Sequence, residues 1–160
     1  MPMPPEPIYD VSRIDQGAIA ATRDAIYAVN PHRFEFQLLD GIFFIDEEAK
    51  IMAAYLDARP DAFWARGHIP GRPLLPGVLL IEAAAQAVSY YVMSQPGFEG
   101  FLGFGGVDGV KFRGQVVPGD RLIIVARMLE MRGKRRNVAA TQGYVNGQMV
   151  YEGRITGMVI

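Results

Sequence analysis

The stretch GHIPGRPLLPGVLLIEAAAQ, residues 67–86, holds three residues whose types and spacing could do acid–base chemistry: His68, Gly77 and Glu82. His68 is one of two histidines in the chain, and an imidazole with an unperturbed pKa of about 6.5 can take or give a proton near neutrality. Its loop is stiffened by Pro70, Pro73 and Pro76, whose rings lock φ. Glu82 stands in the middle of an apolar run, with Gln86 one helical turn later on the same face. An ionised carboxylate there must be paired, protonated or turned to a cavity. Taken singly, a loop histidine can be merely structural, and a glutamate can reach out to polar surface. Together, a rigid histidine loop running into a helix that buries a carboxylate is an acid–base constellation.

Pro76-Gly77 opens the helical run VLLIEAAAQAVSYYVM. The first N–H groups of a helix lack internal partners, and the local dipole favours negative charge. Gly77 has no side chain to keep a ligand from its backbone, so its N–H could bind an oxyanion or a polarised carbonyl. The same two residues would also serve simply to start a helix. With two histidines, no cysteine and no metal-ligand spacing, no metal site is expected.

These residues need elements to position them. The pattern from Asp15 to Val29 predicts a helix, with Ile14, Ala18, Ala21, Ala25 and Val29 on one face, ended by Asn30-Pro31. Phe34, Phe36 and Leu38 alternate with Glu35 and Gln37, a period-two strand signal. Residues 33 to 57 are therefore expected to form an antiparallel hairpin. The long central helix stops at Gln95-Pro96-Gly97. Beyond it, strands are read over FLGFGGVDGVKF, RLIIVARMLEM, VAATQGYV and QMVYEGRITGMVI. Pro118-Gly119 suits a type II turn, and Asn146-Gly147 is a hairpin signal. The result is an α+β chain of five or six mostly antiparallel strands curled around one hydrophobic helix. A helix apolar on nearly all sides must be enclosed, and a partner subunit is expected to complete the cover.

The 160 residues fit a single domain, 1–160, with proline-rich residues 1–8 expected to be a flexible tail. The formal net charge of −1 argues against nucleic-acid binding. A membrane span through 74–93 would bury Glu82 in lipid and is not expected. The N-terminus does not read as a signal peptide, and the absence of cysteine makes a reducing cytoplasm the expected compartment.

The quoted stretch resembles the signature GHFPGHPxMPGVLxxEAxAQ of FabZ-type beta-hydroxyacyl-acyl-carrier-protein dehydratases. NPHRFEFQLLD at 30–40 resembles that family's LPHRYPFLLVD, and VKFRGQVVPGDRL at 110–122 its xxFRRPVVPGDxL. The three blocks occur in the family's order, and the likeness runs from about Ile14 to the C-terminus. The resemblance implies a hotdog fold and a homodimer, which could assemble further, with active sites shared between subunits. It implies dehydration of a (3R)-hydroxyacyl thioester to the trans-2-enoyl thioester, the substrate being carried on the phosphopantetheine of an acyl carrier protein. His68 and Glu82, 14 residues apart, match the family's catalytic pair. Gly77 matches the glycine whose amide faces the thioester carbonyl. Because that carbonyl supplies the electron sink, no cofactor is implied. His32 matches a position read as structural.

Ile69, Arg72, Gly114-Gln115, Glu35 and Gln37 depart from the family pattern and bear on chain length, tunnel shape and docking. An acidic carrier calls for a basic patch. Arg132, Lys134, Arg135 and Arg136 are the densest basic cluster, with Lys111 and Arg113 as further candidates; a solvated turn is the plain reading of the first group. Two rival readings remain at this level: a hotdog acyl thioesterase using Glu82 to activate water, and a non-catalytic acyl-carrier-binding module.

Overall fold

A computed structural model of the chain describes residues 3, 5–132 and 135–160. Seven strands form one antiparallel sheet in the order β1-β2-β3-β5-β6-β7-β4: β1 (Ala21–Thr22), β2 (Gly41–Asp46), β3 (Ile51–Asp57), β4 (Leu102–Phe112), β5 (Arg121–Met131), β6 (Asn137–Val145) and β7 (Gln148–Val159). Helix α1 (Arg23–Val29) is short; helix α2 (Gly77–Met93) is long and lies in the curl of the sheet. This is the hotdog arrangement.

The sheet can close on α2 because the helix offers small residues. Ala83, Ala84 and Ala87 are fully buried and let the strands approach, while Leu80, Val88, Tyr91 and Val92 fill the gaps between them. Each of the larger aliphatic side chains contributes about 1.5–3 kcal/mol of burial. The central strands are apolar on both faces. Phe43, Ile51, Ala53, Ile123, Val125 and Tyr144 form a second cluster on the side away from α2, covered by Ile8, Tyr9, Val11 and Ile14. That double burial is why RLIIVAR reads as a continuous run instead of an alternation.

The N-terminal segment is docked from Glu6 onward, earlier than the expected tail boundary. Gln142 accepts from Ile8 N at 2.8 Å and donates to Glu6 O at 3.0 Å, and the Tyr9 ring packs on Phe44. A buried amide side chain on β6 thus clasps the backbone of the segment.

Two expected elements differ. The helix predicted from Asp15 is confined to Arg23–Val29. Asp15 Oδ1 instead accepts from Gly17 N at 2.9 Å in a local turn, Ala20 N donates to Ile42 O, and Ala21-Thr22 pairs with β2. Thr22 then caps the helix, its Oγ1 accepting from Ala25 N. The strand predicted from Phe34 is a 3₁₀ turn, Phe34–Phe36, and β2 begins at Gly41. Arg33 Nη1 donates to the carbonyls of Tyr27, Asn30 and His32, which folds the segment around its guanidinium. The alternation has no sheet to serve: Phe34 is 85% exposed and Phe36 49%. The turns came out as read. Gly119 takes φ +99° with Asp120 N donating to Val117 O, and Asn146 and Gly147 take φ 49° and 77°.

β4 pairs only with β7 and leaves its other edge open. Along it Phe104, Val107 and Phe112 are exposed, an unusual edge for a strand of 11 residues.

Candidate active site

The loop before α2 is stitched at both ends. Ala58 N donates to Asp120 O, Leu75 N donates to Val116 O, and buried Trp64 anchors the middle. Inside it, His68 N donates to Trp64 O at 2.9 Å and Leu74 N to His68 O at 2.8 Å. Ile69-Pro70-Gly71-Arg72 closes a tight turn: Arg72 N donates to Ile69 O, and Gly71 takes φ +77°, as a type II turn requires. The His68–Ile69 peptide is cis. The half-buried His68 ring has Nδ1 2.9 Å from Leu74 O. A carbonyl can only accept, so Nδ1 carries the proton and the lone pair sits on Nε2. That is the tautomer a general base needs.

Gly77 is the first residue of α2, and Pro76 before it supplies no side-chain cap. The helix start is therefore open to an acceptor from outside. Phe112 of β4 lies against it: a Cβ at Gly77 would stand 3.0 Å from the ring.

Glu82 sits one turn further along and is held from beneath. Its Oε1 accepts from Gln86 Nε2 at 3.0 Å and lies 3.4 Å from His32 Nε2. Gln86 is itself fixed, donating to Phe36 O at 2.8 Å and accepting from Tyr27 OH at 2.6 Å. Tyr27 OH accepts from Leu39 N at 2.8 Å, and Asn30 Nδ2 donates to Gln86 O at 2.9 Å. Burial pushes the Glu82 carboxyl up, but the hydrogen bonds from His32 and Gln86 and the attraction of His32 outweigh it and hold the group below the ordinary carboxylate value. Burial likewise pushes the Tyr27 hydroxyl up, so it stays a donor.

Glu82 opens onto a cleft of about 230 Å³ between α2 and the β4–β7 pair, lined among others by His32, Ser89, Phe104, Ile155 and Gly157. His68 is not among its lining residues. Within one chain, Glu82 and His32 thus share a cleft, and His68 stands on the loop outside it. The contact of His32 with Glu82 was not legible in the sequence, where the two are 50 residues apart; only the pairing of Glu82 with Gln86 had a signal, their helical spacing.

The basic candidates separate in space. The start of α2 lies by Phe112 and Val116, whereas Val92 and Gln95 at its other end share a cleft with Met131 and Asn137. The hairpin carrying Arg132, Arg135 and Arg136 is therefore at the far end of α2, roughly 25 Å from Gly77 at 1.5 Å per residue. Arg132 and Arg136 both pair with Glu130; Lys134 lies outside the described residues. Arg113 is spent on Glu152, with Nε donating at 2.6 Å, and exposed Lys111 stands opposite the same glutamate. By contrast Arg66 and Arg72, beside His68, are exposed and have no ion pair among the described residues.

A sheet wrapped on one helix with a polar site at that helix's start defines a hotdog-fold protein. The fold matches the dehydratase heterocomplex ApeI:P from Xenorhabdus doucetiae with a TM-score of 0.71 at 16% identity, over 84% of this chain and 90% of that one. The family model for the FabA-like domain matches residues 30–154, and the chain belongs to this family. Its relatives include the 3-hydroxyacyl-[acyl-carrier-protein] dehydratase FabZ of Enterococcus faecalis, 39% identical over 84% of this chain and 94% of the relative. The FabZ of Roseiflexus sp. is 38% identical, over 84% and 93%. No helix among the described residues is long and apolar enough to cross a membrane.

Proposed function

We propose that this protein is a hydro-lyase that dehydrates (3R)-hydroxyacyl thioesters, carried on the phosphopantetheine of an acyl carrier protein, to trans-2-enoyl thioesters in fatty acid or related lipid synthesis in the cytoplasm. The observation that carries the reading is the pairing of tautomer and charge. His68 presents a bare Nε2 because Nδ1 is tied to Leu74 O, and Glu82 is held as a carboxylate by the Gln86 amide at 3.0 Å and by His32 at 3.4 Å. The dehydratases it resembles at 38–39% identity support the substrate class.

The Gly77 N–H at the uncapped start of α2 draws electron density onto the thioester carbonyl oxygen, which acidifies the α-carbon. His68 Nε2 takes the α-proton as the bond from the β-carbon to its oxygen breaks. The departing hydroxyl needs one proton to leave as water. An ionised Glu82 is suited to accept the hydroxyl's hydrogen bond and to order the water, while the imidazolium returns the proton. The thioester carbonyl is the electron sink, so no cofactor takes part.

A homodimer completes the site. β4 has an open edge bearing Phe104, Val107 and Phe112, and His68 lies outside the Glu82 cleft of its own chain; a second copy would bring its His68 to that cleft. For the acidic carrier, Arg66 and Arg72 beside His68 suit the arm's destination better than the hairpin at Arg132–Arg136. Dehydration of a 3-hydroxyacyl carrier thioester, followed by enoyl absorbance, tests the reading. His68→Ala and Glu82→Ala are expected to lose most of the rate, and wild-type rates in both would overturn it.

A further inference from the structure

Two side-chain nitrogens stand against one oxygen of Glu82, one in a hydrogen bond and the other at ion-pair distance. Gln86 Nε2 at 3.0 Å and His32 Nε2 at 3.4 Å both address Oε1, and Oε2 has no hydrogen bond among the described residues. His32 reaches this place because Arg33 folds the chain after α1 around its guanidinium, and its ring stands edge-on to Tyr27. Its Nδ1 is buried without a hydrogen-bond partner. An N–H on Nε2 faces the carboxylate, whereas one on Nδ1 is a buried donor with nothing to accept it.

We propose that His32 is a positioning residue: with Gln86 it clamps Oε1 of Glu82, so that Oε2 alone is presented to the cleft and to the substrate hydroxyl. This deepens the dehydratase reading and rests on it. The clamp fixes the carboxylate in rotation as well as in place, which one donor could not do. Gln86 already has Phe36 O and Tyr27 to satisfy; His32 has no other polar duty. The Glu82 carboxyl, pushed up by burial but held below its ordinary value by His32 and Gln86, agrees with both side chains addressing one oxygen. Tyr27 is the other titratable neighbour, and it stays protonated.

His32→Leu removes the donor and keeps an apolar filler, whereas His32→Gln returns an N–H close to the Nε2 position. His32→Leu should lower kcat about tenfold to a hundredfold with KM within about twofold of wild type, and His32→Gln should recover most of the loss. Equal kcat in His32→Leu and wild type, or no recovery in a His32→Gln protein with wild-type unfolding behaviour, would overturn the clamp. Titration of the Glu82 carboxyl by ¹³C NMR reads it without turnover: the group should titrate at higher pH in His32→Leu than in wild type. Identical titration in both sinks the clamp even if the enzyme is active. If the wild type dehydrates nothing but the titration shifts, the clamp stands and the dehydratase reading fails.

Discussion

Gly77 and Phe112 touch across the start of α2: a Cβ built on Gly77 would lie 3.0 Å from Phe112 Cζ. A side chain at Gly77 would press on the half-exposed Phe112 ring, which would have to give by a few tenths of an ångström, so the bare helix start and the edge strand meet closely here. Gly77→Ala should destabilise the fold by about 1–3 kcal/mol through overpacking and depress turnover. Chemical denaturation checks the cause, since Phe112→Ala in the same chain should restore most of the stability.

Because His68 and the Glu82 cleft stand apart within one chain, a shared site predicts complementation. A dimer made from one His68→Ala and one Glu82→Ala chain keeps one intact pair. Co-expressed and assembled at random, the two inactive variants should give about a quarter of wild-type activity. A mixture as inactive as its components would place the pair within one chain.

Glu82 is held below its ordinary value, so its folded form binds a proton less readily than its unfolded form. Its contribution to stability is present above the unfolded carboxylate value, about 4.3, and is lost as pH falls through the lowered folded value. Thermal unfolding followed from pH 7 to pH 3 should therefore show a smaller acid loss in Glu82→Gln than in wild type.

Reversing charge at Arg66 and Arg72 should raise KM several-fold for carrier-bound substrate and leave a short pantetheine thioester unaffected. The same change at Arg132 and Arg136, already paired with Glu130, should do neither. Steady-state kinetics at low and high salt separates the two surfaces, because screening weakens only an electrostatic dock.

The sequence was most legible where residues act on their own backbone or their nearest neighbours. α2 was read from Val78 to Met93 and runs Gly77–Met93, because its apolar run leaves no other element able to bury it. Pro118-Gly119 and Asn146-Gly147 set their turns through φ alone. The segments 15–22 and 34–38 were misread because their patterns are mimics. Alanine spacing at 18, 21 and 25 suits a helix, but Asp15 and Thr22 bond locally to different effect. The Phe34–Phe36 alternation fits a strand, but Arg33 gathers three carbonyls and turns the chain.

By itself the sequence determined the residue types of the site, their order, and the helix that carries Glu82. Side-chain chemistry and local spacing are properties a chain has before it folds. Only the tertiary structure decided which donors Glu82 receives, that His32 is one of them, and that Gly77 faces Phe112. The His32–Glu82 and Gly77–Phe112 contacts join residues 50 and 35 positions apart, and the curl of the sheet around α2 brings them within reach of each other.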